Sequence, residues 1–118
     1  MMQEKNESPP AMTLALVGAH LLNEDGSDRR KLIAACQAGE PVQLRLEPGS
    51  LQDKPAVAVL TMQDEQLGYL TVERSARISE LMRKGHEVKA VFQDKNAFGA
   101  WIRVAFDGEL PLVGEWRE

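Results

Sequence analysis

Acidic and basic side chains in two parts of the chain are of the types that metal-dependent nucleases use. Asp53 lies shortly before an apolar run, and Glu87 and Lys89 form an E-x-K pair farther on. Such enzymes cluster carboxylates on neighbouring strands to hold Mg²⁺, and a lysine polarises the attacking water. Alternation, however, places Glu87 and Lys89 on the solvent face of an ordinary strand. We therefore expect no catalytic site, no bound metal and no other cofactor.

Other motifs of phosphate and metal chemistry are absent from the sequence. There is no GxxxxGK[ST] loop, and the two histidines, His20 and His86, have no evident partner. The single Cys36 cannot form an internal disulfide, no apolar run approaches the length of a membrane span, and the N-terminus is polar. These features predict a cytoplasmic protein that is neither an enzyme nor embedded in a membrane.

Trp101 and Arg103 form a candidate surface for nucleic acid. They alternate with Ile102, Val104 and Phe106 along a predicted strand. If those three side chains face the core, the side chains of Trp101 and Arg103 face solvent. An exposed Trp beside Arg suits base stacking and phosphate binding. The alternative is that the N-terminal segment or the C-terminal tail, with Trp116, covers Trp101.

Net charge opposes general DNA binding. With 14 basic and 18 acidic residues the chain carries −4 at pH 7, whereas proteins that coat duplex DNA usually present a basic field. Binding would depend on a local patch, either at residues 29–31 or on the helix face with Arg74, Arg77 and Lys84. A solvated surface is the simpler explanation of each patch.

A small, mainly β domain must position these side chains. Helical spacing predicts helices over Asp28–Ala38, with Leu32, Ala35 and Cys36 on its apolar face, and over Val72–Lys84. Alternating or continuous apolar runs predict six strands, namely Met12–Val17, Val42–Glu47, Ala56–Met62, Leu67–Leu70, Glu87–Gln93 and Trp101–Phe106. Without βαβ alternation, this α+β content favours a small six-stranded barrel with two short helices.

The length of 118 residues suits one domain. Residues 1–11 are polar with a Pro pair and predict a disordered tail. The barrel is expected over residues 12–108, followed by a C-terminal extension over 109–118.

Several short motifs occur in a characteristic order. They are an acidic-Pro strand end and turn, a Gly-aromatic-Leu element and an Asn-Ala-Phe loop between Phe-ending strands, here Glu47, Pro48, Asp53, Ala56, Gly68, Leu70, Phe92, Asn96, Ala97, Phe98 and Phe106. Over roughly residues 14–106 the chain thereby resembles the HIRAN domain, a β-rich module found attached to fork-remodelling helicase-like ATPases and nucleases, and alone in bacteria. The resemblance implies a modified oligonucleotide-binding (OB) barrel that binds DNA and is not an enzyme.

The resemblance also implies a site. Family members capture the 3′ end of single-stranded DNA with an Arg-Tyr-Tyr run after the first strand's Gly, an Asn and an Asp in the turn, and a His or Lys near the next helix. The residues of this chain that the resemblance and the stacking surface nominate for DNA contact are His20, Ser50, Asp53, Tyr69, Phe92, Trp101 and Arg103. Phe92 also shares strand parity with Val88 and Ala90, which predicts core packing, and Asp53 has the alternative role of stabilising its own turn.

The chain departs from the family pattern where bases would stack. Leu21 and Leu22 replace both tyrosines, Ser50 replaces the Asn, Gln52 the turn Tyr, and Val72 a Lys. Two hypotheses follow. One is a DNA-binding accessory module for single strands or 3′ ends, working with a separate helicase or nuclease in repair, replication-fork or defence. The other is a barrel that has lost DNA binding and mediates protein interaction or oligomerisation.

Overall fold

Strand and helix boundaries follow the apolar periodicity closely. The computed structural model describes residues 8–47 and 55–113. These residues form six strands and two helices in the order β1 Met12–Ala15, α1 Arg29–Ala35, β2 Pro41–Glu47, β3 Ala56–Thr61, β4 Gln66–Tyr69, α2 Val72–Arg83, β5 Lys89–Asn96 and β6 Gly99–Ala105. The mainly β class with two helices is confirmed.

The strands pair in the order β1-β6-β5-β2-β3-β4, and every neighbouring pair is antiparallel. Beyond the end of β1, Val17 exchanges backbone hydrogen bonds with Tyr69 of β4, at 2.7 and 2.9 Å. This bridge joins the two outer strands, so the sheet closes into a small OB-like barrel. Gly68 is required at the closure because a Cβ there would lie 2.7 Å from the Val17 carbonyl oxygen.

The core fills the barrel and the space under α2. Val57 and Val59 of β3 face inward, and five of the six β3 residues are buried, as expected of a central strand. Ser75 fixes α2 to this strand, since its Oγ accepts from the Val57 amide at 3.1 Å and donates to the Leu70 carbonyl at 3.4 Å. The α2 prediction is correct to within one residue.

Helix α1 is shorter than expected and turned differently. Asp28 caps it by accepting from the Arg30 amide at 2.9 Å, and the backbone becomes extended at Cys36. Its inward face centres on Arg29 and Ile33, which are four residues apart. Ala35, expected on the apolar face, is exposed, and Cys36 is half-buried.

The β5–β6 hairpin differs most from expectation. The segment 94–99 was expected to be a loop, but β5 continues to Asn96 and β6 begins at Gly99. Asn96 Oδ1 accepts from the Phe98 amide at 2.8 Å, and this side-chain turn shortens the connection to Ala97 and Phe98.

Parts of the predicted termini lie outside the described residues, namely 1–7 and 114–118, and Trp116 is among them. The N-terminal segment is attached to the barrel at Ser8, whose Oγ donates to the Phe106 carbonyl at 2.9 Å.

Candidate nucleic-acid interface

The chain between β1 and α1 forms an exposed loop at one end of the barrel. The Leu21 amide donates to the Gly18 carbonyl at 3.1 Å, and Leu22 forms an isolated antiparallel β-bridge with Asp28. The loop leaves His20 exposed, with Leu21 and Leu22 exposed by 49% and 63%. Leu21 and Leu22, which the sequence resemblance aligns with two tyrosines, are therefore surface residues.

A buried arginine holds this loop. Arg29 is 6% exposed, and its guanidinium donates to Asn23 Oδ1 at 2.7 Å and to the Gly18 carbonyl at 2.9 Å. Asn23 in turn donates to the Gln66 carbonyl at 3.0 Å. Arg29 forms no ion pair with any carboxylate among residues 8–47 and 55–113. Within the predicted basic patch at residues 29–31, Arg29 thus has a structural role, whereas Arg30 and Lys31 are exposed.

Tyr69 connects the loop to the end of β2. The Arg29 guanidinium lies over its ring, 5.8 Å from the centroid, and its hydroxyl donates to Glu47 Oε1 at 3.1 Å. Glu47 is the last residue of β2. The half-buried Tyr69 is therefore positioned beside the candidate site, with the guanidinium over one side of its ring.

Phe98 was not among the residues selected from sequence. It lies at the tip of the β5–β6 hairpin, and 81% of it is exposed. Gly99 packs against the β1–α1 loop so closely that a Cβ on it would lie 2.7 Å from Ala19 Cβ. Phe98 and the exposed leucines therefore share one end of the barrel. An aromatic residue in the polar segment DKNAFG was the available signal.

A pocket of about 160 Å³ opens between α1 and this hairpin. Its lining residues are Arg30, Ile33, Lys95, Asn96, Ala97 and Gly99. Two of them are cationic and none is acidic, so the charged side chains of the lining are all positive on a protein that is negative overall.

Three of the predicted contacts lie elsewhere. Phe92 is 3% exposed and belongs to the core, which corrects its selection as a surface contact. Trp101 and Arg103 lie on the face of β6 opposite Ile102 and Val104, as alternation predicts, but both are half-buried. Arg103 donates to Thr13 Oγ1 of the neighbouring strand at 2.8 Å.

Ser50 and Asp53, and with them Pro48 and Gln52, lie outside the described residues. The E-x-K pair forms an ion pair of 3.8 Å between Lys89 and Glu87. In the part of the chain that the structure describes, no three His, Cys, Asp or Glu side chains are grouped to hold a metal ion. Neither described helix has the length and apolar character needed to cross a bilayer.

Comparison with known proteins agrees with this geometry. A family model described as the HIRAN domain matches residues 17–112. The crystal structure of the HIRAN domain of human HLTF is similar, with 21% identity, a TM-score of 0.65 and coverage of 82% of this chain and 74% of that one. A protein from Lactobacillus plantarum is 20% identical with a TM-score of 0.60, over 83% of this chain and 94% of that one. No curated protein matches.

Proposed function

Since this chain belongs to the HIRAN domain family, whose members are DNA-binding modules and not themselves catalytic, we propose that it binds single-stranded DNA, with a preference for free 3′ ends. The observation that carries the proposal is the exposed Phe98 at the tip of a hairpin that packs against the β1–α1 loop through Gly99 and lines a pocket with two cations.

Base stacking on Phe98 favours binding of single-stranded DNA. A base stacked on an aromatic side chain contributes about 1–3 kcal/mol, with little dependence on base identity. Phe98 offers such a platform at the barrel end, where His20, Leu21 and Leu22 are also exposed. The leucines give apolar contact to a base but no aromatic face, so we expect weaker binding than two tyrosines would provide.

The distribution of charge also favours a short single strand. The net charge of −4 disfavours long duplex DNA, whereas Arg30 and Lys95 place positive charge in the pocket beside the hairpin that carries Phe98. A short single strand that enters at this end would meet these cations. Affinity should therefore fall steeply with salt.

The proposed role is that of an accessory module. The module guides a separate helicase or nuclease to single-stranded or 3′-ended DNA during repair, fork processing or defence. Asp53 and Ser50 are proposed to contact the terminal nucleotide, with Tyr69 beside it, and Trp101 and Arg103 to extend the contact along the outer face of β6.

Fluorescence anisotropy with a short labelled oligonucleotide tests the proposal. Binding should be measurable at low salt, weaker at physiological salt, and reduced when the 3′-hydroxyl is blocked. Asp53→Ala should remove the difference between free and blocked ends. Equal affinity for both ends would discard the 3′ preference, and no binding at low salt would discard DNA binding altogether.

A second function, protein interaction or self-association, is favoured by the exposure of Val17, Leu21 and Leu22. Neighbouring apolar side chains at a surface often mark a protein contact. Analytical ultracentrifugation distinguishes the two functions, because self-association that Leu22→Asp abolishes, in a protein without affinity for oligonucleotides, supports the second.

A further inference from the structure

We propose that the pocket between α1 and the β5–β6 hairpin is a phosphate-binding subsite, and that it holds the backbone phosphate next to the base that packs on Phe98. The inference rests on the proposed DNA binding. It concerns residues outside the turn that the family resemblance implicates in end capture.

Two cationic side chains in the pocket have no ion-pair partner among the described residues. Arg30 and Lys95 line the same pocket and have no ion-pair partner among residues 8–47 and 55–113. The nearest acidic residues along the chain, Asp28 and Asp94, accept instead from the backbone amides of Arg30 and Lys95, at 2.9 and 2.8 Å. Two like charges that share a pocket repel each other, and a bound anion relieves this repulsion.

The side-chain amide of Asn96 has a hydrogen-bond donor without a partner among the described residues. Asn96 lines the pocket, and its Oδ1 is held by the Phe98 amide at 2.8 Å. Its Nδ2 is buried and has no hydrogen-bond partner within the described structure. Buried donors normally have a partner, and a small movement of the Asn96 side chain toward the pocket would let a phosphate oxygen supply one.

The pocket is large enough to admit a phosphate group. Its volume of about 160 Å³ corresponds to roughly five water molecules at ~30 Å³ each. Ile33, Ala97 and Gly99 complete the lining with apolar or backbone surface. With no carboxylate in the lining, the pocket should select anions over cations.

The position of the pocket connects it to the strand that DNA would follow. Ala97 lines the pocket and precedes Phe98 at the hairpin tip. A nucleotide whose base lies on Phe98 would bring an adjacent phosphate toward Lys95 and Arg30. The pocket is therefore placed to fix the backbone while Phe98 contacts the base.

The test compares salt dependence in matched variants. Arg30→Gln/Lys95→Gln should weaken oligonucleotide binding roughly tenfold at low salt and reduce the slope of log K against log salt by about 0.7, the value for one phosphate of a single strand. The control, Arg45→Gln/Lys89→Gln, removes the same two charge types from positions where they pair with Asp64 and Glu87 and should leave the slope unchanged. An equal decrease in both variants would indicate general electrostatics and overturn the inference.

A second variant tests the donor. Asn96→Asp keeps the acceptor for the Phe98 amide, since Asp also forms such turns, but replaces the spare donor with a negative charge. It should weaken binding at least as much as the double variant while the fold persists by circular dichroism. Unchanged affinity in Asn96→Asp would overturn the inference.

Nuclear magnetic resonance with inorganic phosphate separates this inference from the proposed function. Millimolar phosphate should shift the Asn96 side-chain amide and the Lys95 and Gly99 backbone amides saturably, and Arg30→Gln/Lys95→Gln should abolish the shifts. Saturable shifts in a protein that binds no oligonucleotide would support the anion pocket and reject DNA binding. Oligonucleotide binding with an unchanged salt slope in the double variant would reject the pocket and keep DNA binding.

Discussion

The guanidinium of Arg29 lies over the ring of Tyr69, 5.8 Å from its centroid, and the hydroxyl of that ring donates to Glu47 at 3.1 Å. Through these two contacts and the Arg29 bond to Gly18, the β1–α1 loop, β4 and the end of β2 are held together at one end of the barrel. The loop that presents His20 and the two leucines is thus positioned before any ligand arrives, which reduces the entropy lost on binding.

Arg29→Met should destabilise the fold. The substitution removes the donors to Asn23 and Gly18 and leaves two half-buried acceptors without them, at a cost of about 2–3 kcal/mol. Urea unfolding measures this change. Arg30→Met is the control, because Arg30 is exposed on the same helix and its loss should change the free energy of unfolding by less than about 0.5 kcal/mol. Similar values for both variants would contradict the structural role of Arg29.

Gly99→Ala should separate the hairpin tip from the β1–α1 loop. The new Cβ would lie 2.7 Å from Ala19 Cβ, on a backbone with φ of +148°, and we expect a loss of about 2 kcal/mol in the free energy of unfolding. Ala19→Gly removes the other methyl group. In a double-mutant cycle, Ala19→Gly/Gly99→Ala should recover the steric part of the loss but not the part caused by φ. Strict additivity would show that the two residues are not in contact.

Phe98→Ala should lower oligonucleotide affinity without changing stability. Loss of one stacking platform corresponds to roughly a tenfold to hundredfold weaker Kd, whereas a side chain that is 81% exposed contributes little to the core. Leu112→Ala is the control, since it also removes an exposed apolar side chain. Comparable losses in both variants, measured by anisotropy, would argue against a specific role for Phe98.

Cys36 should react slowly and lower the stability at high pH. Burial raises the pKa of its thiol from 9.0 to about 11, with Glu40 adding to the effect. At pH 8 its alkylation should be about a hundredfold slower in the folded protein than in the unfolded one, because the thiolate is the reacting form. The folded state holds this proton more tightly, so the contribution to stability is complete below pH 9 and is lost as the pH rises toward 11. A Cys36→Ala variant should lack that loss, and alkylation at equal rates in both states would contradict the raised pKa.

Strand and helix patterns were predictable where one face is clearly apolar. The alternation of apolar residues around Val42 correctly predicted β2, and the continuous apolar run around Val59 predicted β3. The helical spacing of Ile78 and Leu81 predicted α2. Parity also gave the core position of Phe92. These patterns depend on local periodicity, which the barrel preserves.

The features that the sequence did not predict depend on contacts between distant segments. Arg29 belongs to a run of three basic residues typical of a solvated surface, and only the Gly18 carbonyl and the Tyr69 ring make it a buried residue. Phe98 resembled an ordinary loop residue because the Asn96 side-chain turn, which moves it to a hairpin tip, is not visible in apolar periodicity. Both involve the candidate site, where tertiary contacts override local pattern.

Among the described residues, one pair of backbone hydrogen bonds, between Val17 and Tyr69, joins the chain at the end of β1 to β4. These two residues also flank the proposed DNA site. A DNA strand bound across Leu21, Leu22 and the end of β2 would therefore hold together the seam of the barrel, by which we mean the hydrogen-bonded pair of Val17 and Tyr69. Binding free energy would then appear as slower local opening of that seam. In the absence of DNA, the amide protons of Val17 and Tyr69 should be the barrel protons that exchange earliest with solvent, so the seam would report whether the module is occupied.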